Sequence, residues 1–211
     1  VELACRIGRE TDGAFDPTAG PLVALWRDCR VQGRVPADHE IESARARRGL
    51  EAVQLDRSTR SIRFDVAGIE INLGGVGKGF ALDQIGRTLL AEDIEAWLVH
   101  GGHSSVLAHG THAGQPGWPV GIRNPLFPAR RLATIQLTDR ALSTSGSGVD
   151  SFRIGGRRFG HILDPRSGVP AEGMLSATVL ASSAAEADAL STAFFVGGVE
   201  FARTCCDNRP G

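Results

Sequence analysis

Near its C-terminal end the sequence runs ADALST over residues 187–192, which sets Asp188 and Thr192 four residues apart in a stretch otherwise dominated by Ala, Leu, Phe and Val. At helical spacing the two side chains share one side of a helix. A carboxylate on a largely buried helix must be ion-paired, hydrogen-bonded or bound to a metal, because an isolated buried charge is very costly. Both groups are hard oxygen donors. Magnesium characteristically takes one or two carboxylates, a few neutral oxygens and substrate phosphates, so this pair suits it. Ser191 adds a third, weaker oxygen on a neighbouring face. A plainer reading stays open, in which Asp188 favours the helix N-terminus and Thr192 bonds a carbonyl one turn back.

The second candidate is NLGGVGKGFALD, Asn72 to Asp83. It contains Lys78, the only lysine among 23 basic residues. A glycine-rich turn between a strand and a helix presents backbone N–H groups that bind phosphate. The spacing is not that of a Walker loop, which needs Gly, four residues, then Gly-Lys-Ser/Thr, and the βαβ context of a dinucleotide fingerprint is missing. What remains is a turn with one cation, suited to an anion such as a phosphate. The alternative is a turn whose glycines allow tight packing beside a solvated lysine.

His100, His103, His109 and His112 crowd HGGHSSVLAHGTH, a density compatible with a transition-metal site. With no carboxylate or cysteine among them, strands and a turn that carry imidazoles are the better reading. His161 stands apart in FGHILDPRSG, on a segment read as a strand ending in an Asp-Pro turn. Cys5, Cys29, Cys205 and Cys206 form no CxxC pair, which argues against a zinc site or a thioredoxin-like motif.

Particular elements must position these groups. An amphipathic segment over residues 1–9 leads into the loop TDGAFDPTAGP and a short helix through Leu25. A helix is predicted over 38–48, with Asp38 as N-cap and Gly49 as stop. VQLD and IRFD read as a hairpin around RSTR, and GIEINL as a third strand. A helix over 78–90 follows, with Leu82, Ile85 and Leu89 on one face. Further strands are predicted at AWLVH, SVLAH, WPVGI, LATIQL, ALSTS, SFRI, RFGHIL and SATVLA. Ser183 and Glu186 form a capping box that opens the last helical region. Strands in runs, rather than alternating with helices, predict an α+β fold with mainly antiparallel pairing.

At 211 residues, with 42% hydrophobic and 22% charged residues, the chain can bury a substantial core, and one domain is expected. A formal net charge of -1 gives no general attraction for nucleic acid or an anionic membrane, so neither is favoured as a partner. The sequence has no apolar run of spanning length, and it opens without Met or signal-peptide regions, from which a processed or truncated chain is expected.

Taken in order, TDGAFDPTAGPL, NLGGVGKGFALD, LVHGG, HILDPRSG and ADALSTAFFVGG resemble the successive motifs of the FAD:protein FMN transferase family, also called ApbE. The resemblance covers nearly the whole chain and implies a single α+β domain over 1–211, with family members extending beyond both ends. It implies Mg2+-dependent cleavage of FAD that releases AMP and joins FMN to a Thr or Ser of an acceptor protein. By position, Asp188, Thr192, the Gly75 carbonyl and Ser191 resemble the magnesium ligands. Phe15, Asp16, Asn72, Lys78 and Ile162 fall where the family contacts FAD, with Lys78 close to its phosphates. His161 resembles the general base that takes the acceptor proton. Asn72 and His103 stand where the family usually has Asp. The resemblance also implies the bacterial periplasm or the outer face of the inner membrane, with membrane association through a preceding segment. Two other functions use the same features: Mg2+-dependent FAD hydrolysis, and flavin binding without turnover.

Overall fold

The computed structural model describes residues 1–147 and 151–208. Helix α1 covers Glu2–Glu10 and buries Ala4, Cys5, Ile7 and Gly8, the spacing of one amphipathic face. Thr11 follows it and donates its hydroxyl to Ile7 O at 2.7 Å. The loop after it turns through Asp12 and Gly13, both with positive φ. Helix α2, Gly20–Val31, begins with Pro21 in its first turn, where the missing N–H costs nothing. It continues past the expected stop at Leu25, because Leu22, Trp26 and Cys29 extend one buried stripe. Helix α3 spans Asp38–Arg45, with Ala37 rather than Asp38 at the N-cap and the Glu40 side chain accepting the Ala37 N–H at 2.8 Å. It stops short of Arg48, whose guanidinium turns instead to Asp16.

Strands β1 (Val53–Asp56) and β2 (Ser61–Phe64) form the expected hairpin, with Val53 opposite Phe64. The Asp56 carboxylate holds the turn by accepting the N–H groups of Ser58 and Thr59. The expected third strand at GIEINL does not form. Glu70 makes one parallel bridge to Ala19, and the Asn72 N–H donates to Pro17 O at 2.7 Å, so this segment is held by a loop rather than by a strand. The approach is close: a Cβ on Gly20 would stand 2.5 Å from Glu70 O.

Helix α4, Gly77–Ala91, agrees with its predicted span, but of its predicted face only Leu82 is buried. Its buried residues are Gly79, Leu82 and Gly86, while Ile85 is 45% exposed. The two glycines make the face: a Cβ on Gly79 would meet Ala184 O at 2.1 Å, and one on Gly86 the Trp97 ring at 2.8 Å. Strands β3 (Trp97–Gly101), β4 (Ser105–His109), β5 (Trp118–Arg123), β6 (Arg131–Leu137) and β7 (Arg140–Gly146) follow. RFGHIL, read as one strand, is two: β8 (Phe152–Ile154) pairs with β9 (Arg157–Phe159), and after a break β10 (Leu163–Asp164) pairs with β11 (Val169–Pro170). His161 lies in the bend between them. Strand β12 (Ser176–Ala181) leads to α5, Ala184–Asp207, which is broken at Gly198 by φ 82° and ψ -175°.

The described residues fall into two compact units, the first within Val1–Leu73, Ser147–Met174 and Val196–Gly211, the second within Gly74–Gly146 and Leu175–Phe195. In the first, Leu22, Trp26, Ile41, Ala44 and Phe159 form a core, with the Trp26 and Phe159 rings 5.6 Å apart. In the second, a four-stranded antiparallel sheet has the order β12-β7-β4-β3. The β5–β6 hairpin packs Trp118, Val120, Ile122 and Ile135 against Ala108, Leu137 and Leu142. The mixed, antiparallel α+β class matches the sequence expectation. No helix among the described residues is long and apolar enough to cross a membrane.

Candidate functional site

The second unit gathers polar side chains around the start of α5. Ser183 is the cap that the sequence announced: its Oγ accepts the Glu186 N–H at 3.3 Å. Asp83, one hundred residues earlier on α4, reinforces it. Its carboxylate accepts the Ser183 hydroxyl at 2.7 Å and the N–H groups of Ala184 and Ala185 at 2.7 and 3.0 Å. The first turn of α5 is therefore anchored to α4. Asp188 comes next, surrounded by buried Ala185, Ala187, Ala189 and Leu190.

The Asp188 side chain is only 5% exposed, and four donors from three elements converge on it. The Gly79 N–H, at the start of α4, donates to Oδ2 at 3.3 Å. Ser105 of β4 and Ser143 of β7 donate to Oδ1 at 3.3 and 3.1 Å. Lys78 Nζ lies 3.4 Å from the same oxygen. The serines are neighbours because Ser105 is paired with Ser143 across β4 and β7. Asp188 thus does favour a helix N-terminus, but that of α4, where free N–H groups and the dipole suit an anion.

One turn on, Ser191 and Thr192 donate their hydroxyls to Asp188 O at 2.9 and 3.2 Å, which includes the back-bond foreseen for Thr192. Ser145 Oγ stands 2.9 Å from Ser191 Oγ and 3.3 Å from Thr192 Oγ1. Ser143 and Ser145 are two residues apart on β7, so both meet α5 from one face of the strand. Gly75 lies in the turn just before α4. The oxygens of Asp188, Ser191 and Thr192, with the Gly75 carbonyl, suit a hard divalent cation: one is a carboxylate and the rest are neutral. A magnesium ion, which keeps several waters and takes substrate phosphates, does not need a fuller protein cage.

The histidine cluster offers no comparable set. His109 Nδ1 is 2.7 Å from Asp139 Oδ1, the His112 ring lies tilted against Trp118 with centroids 4.6 Å apart, and His100 Nδ1 is 3.1 Å from Gly102 O. Among the described residues, no three His, Cys, Asp or Glu side chains gather as a metal site.

The other predicted residues lie in the first unit. Phe15 is buried, and the Asp16 side chain is 2% exposed. Asp16 Oδ1 accepts the Thr18 N–H and hydroxyl at 2.7 and 2.6 Å, and Oδ2 receives Arg48 at 3.1 Å. The Thr18 hydroxyl oxygen in turn accepts the Gly49 N–H. Asn72 adjoins this loop through Pro17 O and is partly exposed. Ile162 is partly exposed, its carbonyl accepting the Ala171 N–H, and His161 is exposed beside it.

Sequence reasoning missed Asp83, Ser105, Ser143 and Ser145. A signal existed for the last two. They follow Ala141 at alternate positions on one face of β7, the spacing that turns two neighbouring hydroxyls toward the same side of the strand.

The sequence pattern of the ApbE family matches residues 1–211. Among curated relatives, the FAD:protein FMN transferase of Salmonella typhimurium is 36% identical over 210 residues, covering 96% of this chain and 59% of that protein. That of Escherichia coli K12 is 32% identical over 209 residues, with the same two shares. The chain therefore spans about three fifths of these relatives. Among solved structures, the ApbE protein of Thermotoga maritima gives a TM-score of 0.86 at 36% identity, covering 97% of this chain and 66% of that one. The apo flavinyl transferase ApbE of Pseudomonas stutzeri gives 0.82 at 29% identity, covering 100% and 69%. The chain belongs to the ApbE family.

Proposed function

We propose that this chain transfers FMN from FAD to a Thr or Ser hydroxyl of an acceptor protein, releases AMP, and depends on Mg2+. The observation that carries this reading is the buried Asp188 carboxylate, ringed by hydroxyls and backed by an ammonium, in a chain of the ApbE family. Asp188, Thr192, Ser191 and the Gly75 carbonyl would hold the cation. When bound, magnesium neutralises charge that develops on the pyrophosphate during its cleavage. Lys78 offers its ammonium to the same phosphates. His161 accepts the proton from the acceptor hydroxyl, whose oxygen bonds to the FMN phosphorus as the bond to the AMP phosphate breaks and AMP leaves with the electron pair.

Asn72 and Ile162, both partly exposed, are assigned to the flavin by family resemblance. Phe15 and Asp16 are assigned to it on the same ground; both are buried, and Thr18 and Arg48 hold the Asp16 carboxylate in the loop that follows α1. The place of action, the bacterial periplasm or the outer face of the inner membrane, rests on family resemblance, as does membrane association through a preceding segment.

The test is to incubate the protein with FAD, Mg2+ and a Thr-containing acceptor, then assay AMP and covalent flavin fluorescence. AMP together with a fluorescent acceptor is the expected result. AMP alone would make the protein an FAD hydrolase, and bound FAD without AMP would make it a flavin-binding protein.

A further inference from the structure

Lys78 sits in the first turn of α4, where the helix dipole disfavours a cation. Its ammonium is compensated by Asp188, 3.4 Å away, which is Lys78's ion-pair partner among the described residues. The two halves of the pair differ: the carboxylate side chain is 5% exposed and the lysine side chain 45%. The carboxylate cannot leave, since Ser105, Ser143 and the Gly79 N–H hold it. The ammonium can, on a flexible four-carbon stem that already reaches solvent.

Building on the proposed metal role of Asp188, we propose that Lys78 is the resident counter-cation of that carboxylate and is exchanged for the divalent ion. Without metal, Lys78 neutralises Asp188. When a divalent cation takes the carboxylate, the ammonium is released and becomes available to an anionic phosphate of the substrate. Metal and phosphate ligand then bind cooperatively, because each favours the state in which Lys78 has left Asp188, and this coupling is reciprocal.

The exchange accounts for a lone lysine in an arginine-rich chain. A guanidinium forms bidentate, charge-assisted bonds with a carboxylate and would hold Asp188 too firmly to yield. A lysine makes a single point contact.

Mn2+ binding, read by electron paramagnetic resonance in the absence of FAD, tests the idea in the wild type and in Lys78→Met, Lys78→Arg and Asp188→Asn. Loss of the competing charge should tighten Mn2+ binding in Lys78→Met by roughly tenfold, and Lys78→Arg should weaken it by a similar factor. Lys78→Gln serves as a second neutral variant should methionine impair folding. ADP, as a pyrophosphate probe, should raise Mn2+ affinity in the wild type and leave it unchanged in Lys78→Met. A merely structural lysine would instead give equal or weaker Mn2+ binding in both neutral variants, which overturns the exchange. Should Asp188→Asn bind Mn2+ as well as the wild type, the metal assignment itself fails. Should Asp188→Asn lose Mn2+ while Lys78→Met and Lys78→Gln match the wild type, only the exchange fails.

Discussion

Two buried aspartates, one in each unit, are held in contrasting ways. Asp16 is closed by its own neighbourhood: Thr18, two residues on, gives it bonds of 2.6 and 2.7 Å, and Arg48, with a side chain only 18% exposed, completes it. Asp188 is held from afar. Its donors are Gly79, Ser105, Ser143 and Lys78, at 3.1 to 3.4 Å, and the one charged donor is half-exposed. Short bonds from a local turn, completed by an arginine, make a carboxylate whose partners are fixed. Longer bonds converging from separate elements make one that is pre-positioned and still exchangeable, which is the condition a metal ligand has to meet.

Substituting each aspartate should separate the two roles. Asp188→Ala is expected to abolish Mg2+-dependent AMP release, since it removes the charged oxygen of the proposed metal site. Its stability should fall by only about 1 kcal/mol, because Lys78 can rehydrate and the serines can bond to one another. Asp16→Ala should do the reverse in kind, destabilising the chain by about 3 kcal/mol in urea unfolding, because it strands Arg48 with an Nε already buried and unpaired. Equal stability losses in the two variants would dissolve the contrast.

The anchoring of α5 gives a smaller effect. Asp83→Ala removes three bonds to the first turn of that helix and should cost about 1 to 2 kcal/mol, read as a lower thermal midpoint. Because Asp83 orients the helix that carries Asp188, Mg2+ affinity should fall with it while remaining measurable. Unaltered stability would leave Ser183 as the sufficient cap.

An exposed pair supplies the weakest case and a pH signature. Arg34 and the Ala37 N–H hold the Glu40 carboxyl at about 2, against an ordinary value of 4.5. A carboxyl with a depressed value in the folded state contributes stability above its unfolded value and loses it as the pH falls toward the folded one. The small stability difference between wild type and Glu40→Gln should therefore be complete at pH 6, shrink below about 4.5, and vanish by about 2, as followed by unfolding at each pH. A difference that persists at the lowest pH would mean that Glu40 acts through packing.

What the sequence made legible was local. The hairpin over residues 53–64, the span of α4 and the Ser183–Glu186 cap all follow from neighbours within a few residues. The misreadings follow from partners far along the chain. GIEINL has strand composition, yet its backbone bonds go to the Pro17–Gly20 loop. The aliphatic residues predict a face of α4 through Leu82, Ile85 and Leu89, whereas Gly79 and Gly86 make the close contacts because they lack side chains. For the site, spacing suggested Asp188 with Thr192 but left a plainer alternative open. The alternation of Ser143 and Ser145 hints at a polar strand face, but nothing local names Asp188 as the partner, 45 residues beyond Ser143 and 83 beyond Ser105. Family resemblance supplies the flavin residues, while the burial of Phe15 and Asp16 and the Asp16–Arg48 pair are features that the motif alone does not reveal.

Anomalous diffraction would locate the divalent cation proposed at Asp188 and Thr192. Crystals grown with Mn2+ and FAD should give an anomalous difference peak within coordination distance of the Asp188 carboxylate and the Thr192 hydroxyl, with Lys78 turned away from Asp188. A peak at His109 and Asp139 instead, or an intact Lys78–Asp188 pair beside bound FAD and Mn2+, would contradict the account.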